Sequence, residues 1–110
     1  MPIDKINVLG KEYDITYYQN MAEVDENCGM MVWAQVNLFK RTFRILRSDG
    51  TQIADIVDSF IHEILETITD ELKLSALSGE EGHKLLSTIG TVLSDTLMRN
   101  SLLNIDLFKK

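Results

Sequence analysis

The residues of this chain best suited to chemistry lie in one short segment, His62-Glu63-Ile64-Leu65-Glu66. The only other histidine in the chain is His83. In an α-helix, residues four apart lie one turn apart and differ by about 40° around the axis. The side chains of His62 and Glu66 can therefore reach one metal ion from the same face of a helix.

Two imidazoles and one carboxylate form a recognised ligand set for catalytic zinc, with a fourth position left open. In the HExxH pattern, two histidines four residues apart bind zinc and the intervening glutamate activates water. Here Glu66 stands in place of the second histidine, and Glu63 keeps the position of the glutamate. Because an oxygen ligand makes the site harder, manganese and iron(II) are alternatives to zinc.

His83 would supply the third ligand if two helices packed antiparallel. From His62 to Leu74 is about 18 Å along a helix axis, so a shared site needs either a connector that folds back or His83 about two turns into the helix overlap. In an alternative interpretation, these residues bind no metal. They form a solvated helix face opposite the apolar stripe, made of Asp55, Ser59, His62 and Glu66.

The predicted secondary structure that must position these residues changes from strands to helices near Ser48-Asp49-Gly50. Before that point, alternating apolar residues predict four strands. They are centred on Ile6 and Val8, on Tyr13 to Tyr17, on Met30 to Leu38 and on Thr42 to Leu46. A hairpin turn at Gly10-Lys11 joins the first two strands. The third strand is apolar on both faces at its start, which predicts a central position in the sheet.

After Gly50 the apolar period becomes helical, from Ile53 to Leu72, with Asp49 or Thr51 as the N-cap. Ser78 and Glu81 predict a capping box that starts a second helix, which ends at Asn100. The alternating tail from Leu102 to Phe108 predicts a short strand or an extended arm. The predicted fold is therefore α+β, with a small antiparallel or mixed sheet of three to four strands followed by two packed amphipathic helices in one domain, 1–110.

Composition restricts the partners. The net charge of −6 disfavours nucleic acid and anionic lipid, which leaves a protein or peptide partner. Cys28 is the only cysteine, so no intramolecular disulfide can form and a reducing compartment is indicated; the thiol is interpreted as a small, partly buried side chain. The sequence shows neither a secretion signal nor an apolar run of membrane-spanning length. We expect a cytoplasmic protein, for which a homodimer is compatible with the long apolar helix.

Four of the 11 basic residues gather around one predicted strand, at Lys40, Arg41, Arg44 and Arg47. Such a strand could meet an acidic partner or a nucleic acid, with Trp33 and Phe39 offering stacking surfaces. The other interpretation is a solvated edge strand whose charges discourage strand addition.

At these residues the chain resembles minimal zincin-type, metallopeptidase-like proteins, most closely short members found in bacteriophages and prophages. The resemblance covers about Ile6 to Leu103. It is carried by a strand pair with Gly and Tyr, a strand ending near Ile45, the segment His62-Glu63-Ile64-x-Glu66, and His83 followed by Leu86, Ile89, Leu93, Leu97 and Asn100. It implies that His62, Glu66 and His83 bind a metal and that Glu63 is the general base. The missing second histidine and a longer, more polar connector depart from the pattern.

The leading hypothesis is thus a small zincin-like metal-binding protein, a metal-dependent hydrolase or peptidase of phage or prophage type in the host cytoplasm. Zinc is the expected cofactor, with manganese or iron as alternatives. The competing hypothesis is a non-catalytic phage accessory protein that binds a host protein and uses the same fold as a scaffold.

Overall fold

The computed structural model describes residues 2–25 and 32–109 and shows a four-stranded sheet followed by two long helices. The strands are β1 Lys5–Val8, β2 Lys11–Tyr18, β3 Ala34–Asn37 and β4 Thr42–Leu46. The helices are α1 Met21–Val24, α2 Ile53–Glu71 and α3 Gly79–Arg99. The predicted α+β class, an N-terminal sheet followed by two packed helices, is confirmed.

The sheet is mixed, with the strand order β1-β2-β4-β3. Strands β2 and β4 are parallel, and the two outer pairs are antiparallel. The prediction that the third strand is central is wrong, because β4 has a partner strand on each side and buries Phe43 and Ile45, whereas the residues of β3 are only half-buried. The residues Met30 and Met31, which suggested a central strand, lie outside the described residues, as does Cys28.

The first hairpin turns at Leu9 and Gly10, one residue earlier than predicted. Both residues have positive φ, 54° and 82°, as a two-residue type I′ turn requires. The side-chain oxygen of Asn7 accepts a hydrogen bond from the backbone N–H of Gly10 at 2.9 Å. Lys11 instead begins β2, where it pairs with Val8.

Helix α2 packs its apolar stripe against one face of the sheet. The buried core consists of Val8, Tyr13, Ile15, Phe43, Ile45, Ile56, Val57, Phe60 and Phe108. Phe60 lies at its centre, with ring centroids 6.5 Å from Phe43 and 5.2 Å from Phe108. Because aromatic side chains bury the largest apolar area, these contacts fix the rotation of α2 about its axis.

The tail forms neither the strand nor the extended arm that its alternating residues predict. Residues Ile105–Phe108 make a short 3-10 turn. The side chain of Phe108 enters the core, and its carbonyl oxygen accepts a hydrogen bond from the guanidinium of Arg47. The backbone N–H of Ile3 donates to Leu107 O at 2.7 Å. Burial of the Phe108 side chain therefore stabilises the turn conformation of the tail.

The predicted helix starts are only partly right. The N-cap of α2 is Gln52, whose side chain makes no capping hydrogen bond; the Thr51 hydroxyl accepts instead from the backbone N–H of Ser48 at 3.0 Å. Ser78 is the N-cap of α3, as predicted, but its hydroxyl donates to the carbonyl of Ser75. The capping box with Glu81 is therefore not formed.

The basic residues around β4 do not form a solvated edge strand, because β4 is central. Arg44 donates to the carbonyl of Val24 at 2.7 Å and lies 4.3 Å above the ring centroid of Tyr18. Arg47 is buried beside the ring of Tyr17. These two guanidinium groups join separate chain segments, so the four basic residues do not share one open face.

Candidate metal centre

The predicted metal ligands lie on the two long helices, which pack against each other as an antiparallel hairpin. Helix α2 presents His62 and Glu66 one turn apart, and α3 presents His83 in its second turn. The helices lie near each other at Gly90, where a Cβ atom would lie 3.6 Å from the Cα of His62. The two helices therefore lie close together at the part of α2 that carries the site.

The connector sets the offset between the two helices. After α2, Lys73 adopts a positive φ of 53°, and a 3-10 turn at Ser75–Leu77 leads to Gly79 with a φ of 79°. Gly82 then packs against Leu77, since a Cβ at this position would lie 2.0 Å from the carbonyl oxygen of Leu77. The chain therefore folds back soon after α2 ends, and His83 lies opposite Glu66.

The three polar side chains converge. Nδ1 of His83 lies 2.7 Å from Oε1 of Glu66, and Nε2 of His62 lies 3.6 Å from the same oxygen. The two imidazole rings are nearly perpendicular, with centroids 4.9 Å apart. One donor atom from each of the three residues lies within 4.8 Å of the other two.

The solvated-face interpretation does not fit His62 and Glu66. Their side chains are only 18% and 22% exposed, whereas that of His83 is 60% exposed. Ser59, which that interpretation included, is buried. The site is a partly enclosed cluster with one exposed member.

The donor set fits a divalent ion such as zinc. Zinc bonds of 2.0 to 2.2 Å in tetrahedral geometry hold ligand atoms roughly 3.4 Å apart. The two separations from Glu66 Oε1, 2.7 and 3.6 Å, bracket that value, and the donor atoms of the two histidines lie within 4.8 Å of each other. His83 is the most exposed of the three side chains, so it has the most room for the rotation that would equalise the distances. A bound ion would have three protein ligands here, which would leave one of four coordination positions free.

His62 has a further polar neighbour that orients its ring. The hydroxyl of Ser87 lies 3.4 Å from Nδ1 of His62, which leaves Nε2 toward Glu66. Metal-binding histidines commonly have such a partner on the second ring nitrogen. Burial lowers the pKa of His62, although the carboxylates of Glu66 and Asp58 act in the opposite direction. His62 is therefore neutral at pH 7, as a metal ligand must be.

Glu63 lines the same cleft as His62 and His83 but is more deeply buried than either. Its side chain is 93% buried, with 7% exposed, and its carboxyl group has no hydrogen-bond partner among residues 2–25 and 32–109. Burial, then the charges of Glu66 and Asp70, raise its pKa to about 8. In the metal-free protein this carboxyl is therefore mostly protonated at pH 7.

A cleft of about 490 Å³ adjoins the cluster, between α2, α3 and the start of β3. Its described lining is Val32, Trp33, Ala34, Asp55, Asp58, Ser59, His62, Glu63, His83, Ser87 and Thr91. Asp55 and Asp58 add acidic groups to this lining and none of the lining residues is Lys or Arg, so the cleft favours cations. Sequence reasoning did not single out Asp58, Ser87 or Trp33 for this site. The first two had a signal, because they lie four residues from His62 and His83 respectively.

Comparisons with family models, curated proteins and solved structures gave no match for this chain. None of the helices in the described ranges has both the length and the apolar character needed to cross a membrane.

Proposed function

We propose that this chain is a small zincin-like metal-binding protein that acts as a metal-dependent hydrolase on peptide bonds. His62, Glu66 and His83 would hold the ion, with zinc preferred and manganese or iron(II) as alternatives. The observation that carries the proposal is the convergence of these three donors, from two helices, within 4.8 Å on the wall of a cleft.

The chemistry of the donors supports a catalytic rather than a purely structural ion. Structural zinc sites are usually closed by four protein ligands, whereas catalytic sites keep one position open. Only three His, Cys, Asp or Glu side chains meet here within the described residues. A bound divalent ion would supply Lewis-acid activation of water at the open position.

Glu63 is proposed as the general base. It follows His62 directly in α2, lines the cleft and makes no side-chain hydrogen bond within the described part of the chain. Its carboxylate, when ionised, is thus free to accept a proton from water in the cleft and to return it to the leaving group. Ser87 would hold the ring of His62 with Nε2 directed toward Glu66.

The cellular setting is part of the proposal. A single cysteine agrees with a reducing compartment, and we place the protein in the cytoplasm, that of a bacterial host if the gene belongs to a phage. The net charge of −6 favours a protein or peptide substrate over nucleic acid.

Metal binding is tested first, on chelator-treated protein titrated with zinc or manganese in a calorimeter. We expect one ion per chain, with affinity reduced at least about a hundredfold in His62→Ala and His83→Ala. His83→Ala is matched by Lys84→Ala, which removes an exposed side chain on the next residue of α3 and should leave affinity unchanged. Absence of stoichiometric binding in the unaltered protein would refute the metal site.

Catalysis is tested separately, by profiling the metal-loaded protein against a mixed peptide library. Glu63→Gln should retain the ion and lose about 10²- to 10⁴-fold in turnover, the contribution expected of a general base. Equal turnover in both proteins would contradict the role of Glu63. A loaded protein that cleaves no peptide would favour the non-catalytic accessory function instead.

A further inference from the structure

The outward side of α3 carries an exposed apolar stripe. Leu85, Ile89 and Val92 recur at helical spacing and are 48%, 43% and 61% exposed, and Leu93 beside them is 38% exposed. A soluble helix normally directs such a row into the core. Here α3 directs other residues toward α2, so the stripe faces solvent.

The stripe is separate from the candidate metal centre. The buried residues of α3 are Gly82, Leu86, Gly90 and Ser94. The cleft is lined from α3 by His83, Ser87 and Thr91. At about 100° per residue, this cleft-lining row lies on the opposite side of the helix from the row that begins at Leu85. A partner on the stripe would therefore leave the cleft open.

Charged residues along one flank of the stripe alternate in sign. Glu81 and Lys84 lie near the start of α3, and Asp95 and Arg99 lie near its end. Within the helix they form exposed ion pairs, Lys84 with Glu81 at 3.8 Å and Arg99 with Asp95 at 2.7 Å. The charges along this flank are therefore negative, positive, negative and positive in sequence order. When two copies of the helix are placed antiparallel, each of these charges meets one of opposite sign.

We infer that α3 pairs with α3 of a second copy of this chain, antiparallel and about a twofold axis beside Ile89 and Gly90. In an antiparallel pair the same flank of each helix meets, so Glu81 faces Arg99 of the second copy and Lys84 faces Asp95. The midpoint in sequence between Glu81 and Arg99, and that between Lys84 and Asp95, each lie within one residue of Gly90. A single register of the two helices therefore forms both pairs between the copies.

The same register also pairs the apolar residues. Ile89 lies beside Ile89 of the second copy, and Leu85 lies beside Leu93 of the second copy. In a parallel arrangement the opposite flanks of the two helices meet, so Glu81 and Asp95 would face the flank that carries the buried residues Leu86 and Gly90 and would find no opposite charge there. The charge pattern thus selects a second copy in a single orientation.

The predicted dimer is reversible. The segment from Glu81 to Arg99 is about 27 Å long at 1.5 Å per residue, which gives an interface at the small end of specific contacts. Sedimentation equilibrium of the whole chain should show a mass approaching twice 12.5 kDa at high concentration and the monomer mass on dilution.

Two matched variants test the apolar stripe. Ile89→Glu places a charge at the axis and should shift the protein to monomer while circular dichroism remains native. Phe39→Glu introduces the same charge at a residue that is 97% exposed, between β3 and β4, and should leave the dimer intact. A protein that is monomeric at every concentration, or a dimer insensitive to Ile89→Glu, would overturn the inference.

A charge exchange tests the register. Lys84→Glu and Asp95→Lys should each weaken association about tenfold, and the double variant should recover most of the loss because the pair between copies is restored. The double variant also places like charges next to each other within each helix. If the single effects arose only inside α3, the double variant would be the weakest of the three, and that result would exclude the proposed register.

Discussion

Oε1 of Glu66 lies 2.7 Å from Nδ1 of His83, although 17 positions separate the two residues in sequence. The same oxygen lies 3.6 Å from Nε2 of His62. Glu66 is therefore the common neighbour of both histidines: it hydrogen-bonds to His83 and lies within ion-pair distance of His62. Its two roles, acceptor and proposed ligand, can be separated experimentally.

Glu66→Gln is expected to separate these roles. The amide oxygen of Gln still accepts a hydrogen bond from His83, so thermal stability without metal should change by less than about 1 kcal/mol. Zinc affinity should fall by at least about tenfold, because an anionic ligand is lost. Glu80→Gln, on an exposed residue in the first turn of α3, is the control. Unchanged zinc affinity in Glu66→Gln would show that this carboxylate is not a ligand.

The buried carboxyl of Glu63 should make the metal-free protein less stable as pH rises. Its folded-state pKa of about 8 lies above the ordinary value of 4.5, so between these values the unfolded chain ionises while the folded chain stays protonated. The free energy of unfolding should then fall with pH across this range, by on the order of 3 kcal/mol up to pH 7. Glu63→Gln should remove most of that slope.

Urea unfolding at pH 5, 6, 7 and 8 in the presence of a chelator measures this effect. The advantage of Glu63→Gln over the unaltered protein should be smallest at pH 5 and should grow up to pH 8. Parallel curves for the two proteins would show that the Glu63 carboxyl titrates normally in the folded state.

Alanine substitution at the two buried glycines of α3 should change the stability of the protein in opposite directions. Gly82→Ala places Cβ 2.0 Å from the Leu77 carbonyl, so the connector must move, at a cost of about 2 kcal/mol or more. Gly90→Ala makes an ordinary contact at 3.6 Å from His62 and gains up to about 1 kcal/mol of helix propensity. Thermal unfolding of both variants provides the comparison.

Zinc affinity should also distinguish these two glycine variants. Because His83 follows Gly82 directly, Gly82→Ala should also weaken zinc binding, whereas Gly90→Ala should not. Equal stability of the two alanine variants would mean that the connector is not packed as described.

The C-terminal turn should contribute strongly to stability through one side chain. Phe108 is buried and makes an edge contact with Phe60 at 5.2 Å, so Phe108→Ala should cost about 3 to 5 kcal/mol. Leu107, its neighbour, is 44% exposed, and Leu107→Ala should cost less than about 1 kcal/mol. Denaturant midpoints of the two variants test this; similar midpoints would show that the tail is not anchored in the core.

The sequence pattern predicted the elements better than their arrangement. The period of α2 is unambiguous because its apolar residues, among them the buried Ile56, Val57 and Phe60, recur at helical spacing. The position of β3 was predicted wrongly, since apolar residues on both faces of a strand do not reveal which neighbours it hydrogen-bonds. Parallel pairing of β2 with β4 is a long-range choice that local alternation does not encode.

For the candidate site, as for the fold, the sequence predicted the local geometry better than the long-range arrangement. His62 and Glu66 meet because helix geometry fixes residues four apart. The position of His83 depends on the connector, where Lys73 adopts positive φ and Gly82 packs on Leu77. Neither feature follows from helical period, so the sequence permitted the convergence without requiring it.

All three proposed ligands lie between residues 62 and 83 on one helical hairpin, while the β2–β4 pair joins segments on either side of α1 and β3. Closing a short loop costs less chain entropy than closing a long one, and contacts of low sequence separation form early in folding. We expect the ligand cluster to assemble ahead of the complete sheet. An ion present during synthesis could then act as a template for the nascent chain.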